Sequence, residues 1–147
     1  MTDSITRTSL EWIDNLTFEA EVNGFHFKLD SSIDKGGNGL GPRPKPLLLA
    51  ALSGCSGMDV VSILKKMKVS GFKMKMDMEA DSTQEHPKTY HTIRMKFIFV
   101  GDNIPPDKVI TAVELSGTKY CGVSAMLKNA TLIKTTIVIN EKEIWHD

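Results

Sequence analysis

The chain has 147 residues, 41% of them hydrophobic and 24% charged, with 18 Lys and Arg balanced by 18 Asp and Glu. Such a chain predicts a single globular domain over residues 1–147, large enough for a core and too small for a modular enzyme with a separate cofactor domain. Net neutrality argues against broad electrostatic capture of nucleic acid, anionic membrane or acidic substrates, and leaves little repulsion to oppose self-association. Two cysteines are too few for a disulfide scaffold or a Cys-rich metal site.

No segment reads as the roughly 18 apolar residues of a membrane span. The N-terminus MTDSITRTSLEW has no basic region followed by an apolar run. The expectation is therefore a cytoplasmic chain with no membrane partner, whose thiols are reduced or buried.

From Leu10 to Leu29 apolar residues alternate imperfectly with polar ones and are interrupted by Asn23-Gly24. That dipeptide is the strongest short hairpin signal, because a type I′ turn needs positive φ at both central positions. Residues 31–42 hold Gly36, Gly37, Gly39 and Gly41 and read as a loop, either an approach to a site or a plain connector.

A long helix is expected from about Arg43 to Lys68. Pro44 and Pro46 suit its first turn, and Lys65, Lys66 and Lys68 suit its C-terminal end. Its middle is apolar nearly all round, which on a helix signifies burial. Ser53, Gly54, Ser56 and Gly57 surround Cys55 with small side chains. Interior glycines cost a helix about 1 kcal/mol each relative to Ala, so a close approach by a backbone or a ligand is expected there.

Phe72, Met74, Met76 and Met78 alternate with Lys73, Lys75, Asp77 and Glu79, the period of a half-buried strand. The Met row reads as core rather than as metal ligands. Tyr90 to Val100 alternates again and is expected to pair with it as a hairpin. Pro105-Pro106-Asp107 starts a helix carrying Val109, Ile110, Val113 and Leu115. A short helix from Val123 to Lys128 and a β-branched strand from Thr131 to Asn140 follow. Strands grouped around helices indicate an α+β fold, and an all-round apolar helix in so small a chain calls for a partner subunit.

Cys55 and Cys121 stand 66 positions apart, and two readings of them are open on the residues alone. Apart in space, each is a small hydrophobe of the core. Together, they form an attacking and resolving couple, in which one thiolate cleaves an O–O bond, becomes a sulfenic acid and condenses with the other. His26, His86, His91 and His146 have no ligand spacing, so no metal site is expected. Gly36-Gly37-Asn38-Gly39 lacks the Gly-Lys-Ser/Thr ending of a phosphate loop.

The stretches PRPKPLLLAALSGCSGMDVVSILKKMKV and AVELSGTKYCGVSAML, with the final strand, resemble the OsmC/Ohr family of osmotically inducible and organic hydroperoxide resistance proteins, in its OsmC-like branch. The resemblance covers residues 24 to 140. It implies antiparallel sheets wrapped around long central helices in an intertwined homodimer. It implies hydroperoxide reduction with Cys55 attacking and Cys121 resolving at an interface pocket, no bound cofactor, and recycling by an external dithiol such as a lipoylated protein.

Two departures stand out. The family's active members carry an Asn-Pro-Glu element where this chain reads Arg43-Pro44-Lys45, and an Arg in the first hairpin where FEAEVNGFHF has none. Arg43, Lys45 and Asp59 are the substitutes on offer for a substrate or thiolate partner. Lys45 stands ten residues before Cys55, about 15 Å along a helix. A carboxylate at Asp59, one turn after Cys55, disfavours a nearby thiolate. These departures keep a second reading open, a non-catalytic or differently specialised dimer that binds a small apolar or thiol-reactive ligand.

Overall fold

The computed structural model describes residues 4–147, so the N-terminal stretch read for a leader begins outside the described residues. The chain divides after Leu48 into two compact units.

The first unit carries the antiparallel sheet β1 (Thr8–Asp14), β2 (Thr17–Val22) and β3 (Phe25–Leu29), in that order. Asn23 and Gly24 make the expected turn, with φ of 53° and 83°. A second turn at Asn15, φ 47°, separates β1 from β2. The alternation hid this turn because apolar Leu16 sits inside it, while Asn tolerates positive φ without the help of a glycine.

The loop after β3 is tied down rather than loose. Asp30 is buried, and its carboxylate accepts from the backbone N–H of Ser31, Asn38 and Leu40 and from the Thr17 hydroxyl at 2.8 Å. A Cβ added at Gly37 would come within 2.0 Å of the Ser31 carbonyl oxygen, and one at Gly41 within 2.2 Å of that of Lys28. Those glycines are required by close packing of the loop on its own stem.

Helix α1 (Pro44–Lys66) forms where expected, ending two residues earlier, with Lys68 at φ 60° and the Val69 N–H bonded back to the Leu64 carbonyl. Its buried row, Leu52, Ser56, Val60 and Leu64, repeats every four residues and so faces one way. That face belongs to the core cluster with Ile93, Phe97, Phe99, Val109, Val113 and Ile137. The opposite face is open: Met58 is 77% exposed and Val61 42%. All-round burial is thus not achieved within one chain.

One expectation needs correcting. By length and composition α1 does reach what a membrane span requires, with a mean hydropathy of 1.8 over its most apolar 18 residues. Core helices meet the same test, and the buried row of α1 packs as one.

The second unit holds the four-stranded sheet β4 (Phe72–Ser82), β5 (Tyr90–Gly101), β6 (Leu132–Ile139) and β7 (Lys142–His146), in chain order. β4 and β5 are the expected hairpin, and Met74, Met76 and Met78 pack against the core. β5 and β6 pair in parallel, so this sheet is mixed rather than wholly antiparallel. Their connection runs through α2 (Pro106–Leu115) and α3 (Gly122–Leu127), the long crossover a parallel pair requires. β7 is an addition to the expected elements. It follows a turn in which Asn140 and Glu141 both have positive φ, a conformation with no glycine to announce it. The fold is α+β, two sheets with three α-helices.

Candidate active site

Two helix segments build the site, both in the second unit. Cys55 and Asp59 lie one turn apart on α1 and therefore project from one side of it. Cys121 is delivered by an irregularity. After α2 the helix widens into a π turn over Ser116–Tyr120, in which the Cys121 N–H bonds to the Ser116 carbonyl five residues back. Such widened turns recur at functional sites. Cys121 then leaves the helical conformation and caps α3, its Sγ accepting from the Ser124 N–H at 3.3 Å.

These segments bring Cys55 Sγ, Cys121 Sγ and a carboxylate oxygen of Asp59 within 4.8 Å of one another. Both cysteines are free thiols, Cys55 half-buried and Cys121 buried. Three serines bind the cluster together. The Ser56 hydroxyl donates to Cys121 Sγ at 3.4 Å, and the Ser116 hydroxyl to Asp59 Oδ2 at 3.0 Å. With Ser124, all three are buried.

Burial dominates the electrostatics of Cys121. Burial pushes the Cys121 thiol up from its ordinary value; donation from Ser56 and Ser124 pulls it down, and the neighbouring Cys55 pushes it up again. The net direction is upward, so Cys121 holds its proton at neutral pH. A carboxylate oxygen of Asp59 stands close to both sulfurs, within 4.8 Å of each.

Among the sequence candidates, Cys55, Cys121 and Asp59 come together. Arg43 precedes α1 and is exposed, and Lys45, half-buried, stands at its second position; both belong to the first unit. Arg94 lies on the sheet face away from the core and donates to Glu79 at 3.1 Å and to Asp81 at 3.0 Å. Lys66 shares a cavity of about 380 Å³ with Asp59, Ile63, Leu115 and Tyr120. A shallower groove of about 750 Å³ runs along the open face of α1, lined by Gly54, Gly57, Met58, Val61, Met74 and Met76.

Sequence reading missed Ser116 and Ser124 as site residues. Ser116 sits in a π turn, which has no sequence signature, and the N-cap of α3 is a cysteine rather than the usual Ser, Thr, Asp or Asn.

The family model for OsmC-like proteins matches residues 36–136, a span that includes both cysteines. The chain belongs to the OsmC-like family. It is 34% identical over 126 residues to protein YhfA of Escherichia coli K12, a match covering 84% of this chain and 90% of YhfA. A solved structure of a hypothetical protein from Aquifex aeolicus is 30% identical and superposes with a TM-score of 0.83 over 94% of this chain and 98% of its own. An organic hydroperoxide resistance protein OsmC from Legionella pneumophila shares the fold, with a TM-score of 0.67 over 94% of this chain and 99% of its own, at 14% identity. OsmC-like membership thus rests on the stretch that carries the thiol pair.

Proposed function

We propose that the chain is a cytoplasmic, homodimeric, thiol-dependent reductase of organic hydroperoxides. The observation that carries this reading is the paired thiols, within 4.8 Å of each other, one half-buried and the other buried behind it. The Cys55 thiolate attacks the distal peroxide oxygen, the O–O bond breaks, and the alcohol leaves with a proton while Cys55 becomes a sulfenic acid. The Cys121 thiol then displaces water from that sulfur and closes a disulfide. An external dithiol, such as a lipoylated protein, takes the oxidation away by exchange.

Apolar side chains that the chain leaves in solvent support the dimer. Trp12 is 64% exposed, Phe25 75% and Met58 77%, and the groove beside Met58 runs along the helix that carries Cys55. A second copy on these surfaces would also wall an apolar pocket for the peroxide's organic group.

The test is to count free thiols after mixing reduced protein with cumene hydroperoxide. Two thiols should be lost per peroxide consumed, and a full thiol complement at excess peroxide would refute the reading.

Asp59 favours a second reading. A carboxylate within 4.8 Å of both sulfurs, in a chain without the family's Arg and Glu at their positions, suits a dimer that binds a small apolar or thiol-reactive ligand without turning over peroxide. In that case cumene hydroperoxide leaves the thiols intact, while the fold and the dimer persist.

A further inference from the structure

The Asp59 carboxylate is awkward for a thiolate and apt for a cation. Cys55 Sγ, Cys121 Sγ and an Asp59 oxygen form a compact set of three donors, all pairwise separations within 4.8 Å. A tetrahedral Zn²⁺ with Zn–S distances near 2.3 Å holds two sulfurs about 3.8 Å apart. Side-chain shifts of about 1 Å therefore bring the two sulfurs onto such an ion, with the Asp59 oxygen within similar reach. We propose that the reduced chain binds one thiophilic divalent cation, Zn²⁺ by class, through Cys55, Cys121 and Asp59.

Three features of the surroundings support this. Two thiolates select a soft or borderline ion over Mg²⁺ or Ca²⁺. The donors already have the outer hydrogen bonds that orient metal ligands: Ser56 Oγ and the Ser124 N–H to Cys121 Sγ, and Ser116 Oγ to Asp59 Oδ2. Such partners are a recurrent feature of metal sites and change affinity by about 10- to 100-fold when removed. Three protein ligands also leave a fourth tetrahedral position for water, and the half-buried Cys55 gives the site its opening.

The ion would hold both sulfurs as thiolates and shield them from alkylation and oxidation. Disulfide formation removes two of the three ligands. Diamide, a diazene that takes two electrons from the thiolates as the S–S bond forms and two protons from water, should therefore release the cation without any change in its charge.

The inference does not rest on peroxide turnover. A chain that binds Zn²⁺ and spares cumene hydroperoxide would retire the proposed function and keep this site.

The test titrates reduced full-length chain with Cd²⁺, read by its thiolate charge-transfer absorption, and with Zn²⁺ against a chromophoric chelator. One equivalent should bind, and diamide-oxidised protein should bind none. Cys55→Ser should lose most of the charge-transfer band. Asp59→Asn should keep the band and weaken Zn²⁺ by more than about tenfold, the lower bound for losing even an outer partner. Ser116→Ala, which leaves all three ligands in place, should weaken it by about tenfold. Equal affinity of Asp59→Asn and unmodified chain would overturn the three-ligand site, and so would binding that survives the disulfide.

Discussion

Two carboxylates of this chain, Asp30 and Asp59, look alike in sequence and differ sharply in their surroundings. Asp30 is 3% exposed and accepts from three backbone N–H groups and the Thr17 hydroxyl. Burial alone would push its carboxyl up, yet the donors from Leu40, Ser31, Thr17 and Asn38 together outweigh that and hold it below its ordinary value. Asp59 is half-buried, accepts from the single hydroxyl of Ser116 among the described residues, and faces two thiols. One carboxylate is satisfied by its own fold. The other accepts one hydroxyl and stands beside two thiols.

The largest expected effect tests the reactive side of this contrast. Cys55→Ser should reduce cumene hydroperoxide consumption to background, as followed by peroxide assay. Cys121→Ser should stall after one turnover at a sulfenic acid, which a dimedone adduct in the mass spectrum would reveal. Equal rates for the unmodified and Cys55→Ser chains would show that Cys55 is not the attacking thiol.

Stability should divide the two regions the other way. Thr17 is buried, donates to Asp30 at 2.8 Å and accepts from the Asn38 amide at 2.7 Å. Thr17→Val should therefore cost about 1–3 kcal/mol by urea denaturation, because it removes one of the donors to a buried carboxylate and leaves the Asn38 amide without its acceptor. Ser116→Ala removes one bond to a half-buried carboxylate that solvent can reach, and should cost about 0.5–1.5 kcal/mol. Similar losses for the two variants would mean that Asp59 is as much a structural group as Asp30.

Acid sharpens the same comparison. A carboxyl whose folded pKa is lowered contributes stability that is fully present above its unfolded value, near 3.8, and that is lost as pH falls through the lower folded value. Stability of the chain should therefore decline below about pH 4. Asp30→Asn, less stable at neutral pH, should show a shallower decline in that range by circular dichroism. Parallel acid curves would show that other carboxylates govern the loss.

The smallest effect concerns the open face of α1. A Cβ added at Gly54 meets nothing within 4 Å in the single chain, so Gly54→Ala should stabilise an isolated helix by up to about 1 kcal/mol. If a second copy packs closely on this face, the same methyl group should weaken the dimer in analytical ultracentrifugation. Gain in stability with unchanged mass would place the dimer contact elsewhere.

Much of the fold was legible because its periodicities are clean. Met74, Met76 and Met78 fixed β4 by alternation, Asn23-Gly24 fixed a hairpin by turn chemistry, and Pro44 marked the start of α1. The turn at Asn15, strand β7 and the π turn at Ser116–Tyr120 escaped because each depends on backbone angles that ordinary residues adopt without a local signature. Cys55 and Cys121 were identified through their motifs, and Asp59 through its helical spacing. The supporting Ser116 and Ser124 were not, since only the π turn and the cap of α3 bring them to the cluster.

The sequence by itself determined the α+β class, the long helix carrying Cys55, and the family to which both cysteine motifs belong. These are local or pattern properties, set by side-chain period, turn residues and motif spacing. Only the tertiary structure decided that two sulfurs 66 positions apart lie within 4.8 Å, that β5 and β6 run parallel, and that Asp59 faces both thiols. Those outcomes depend on how α1 packs on the sheet and how the crossover through α2 and α3 returns the chain, and such long-range closure is written in no single stretch of residues.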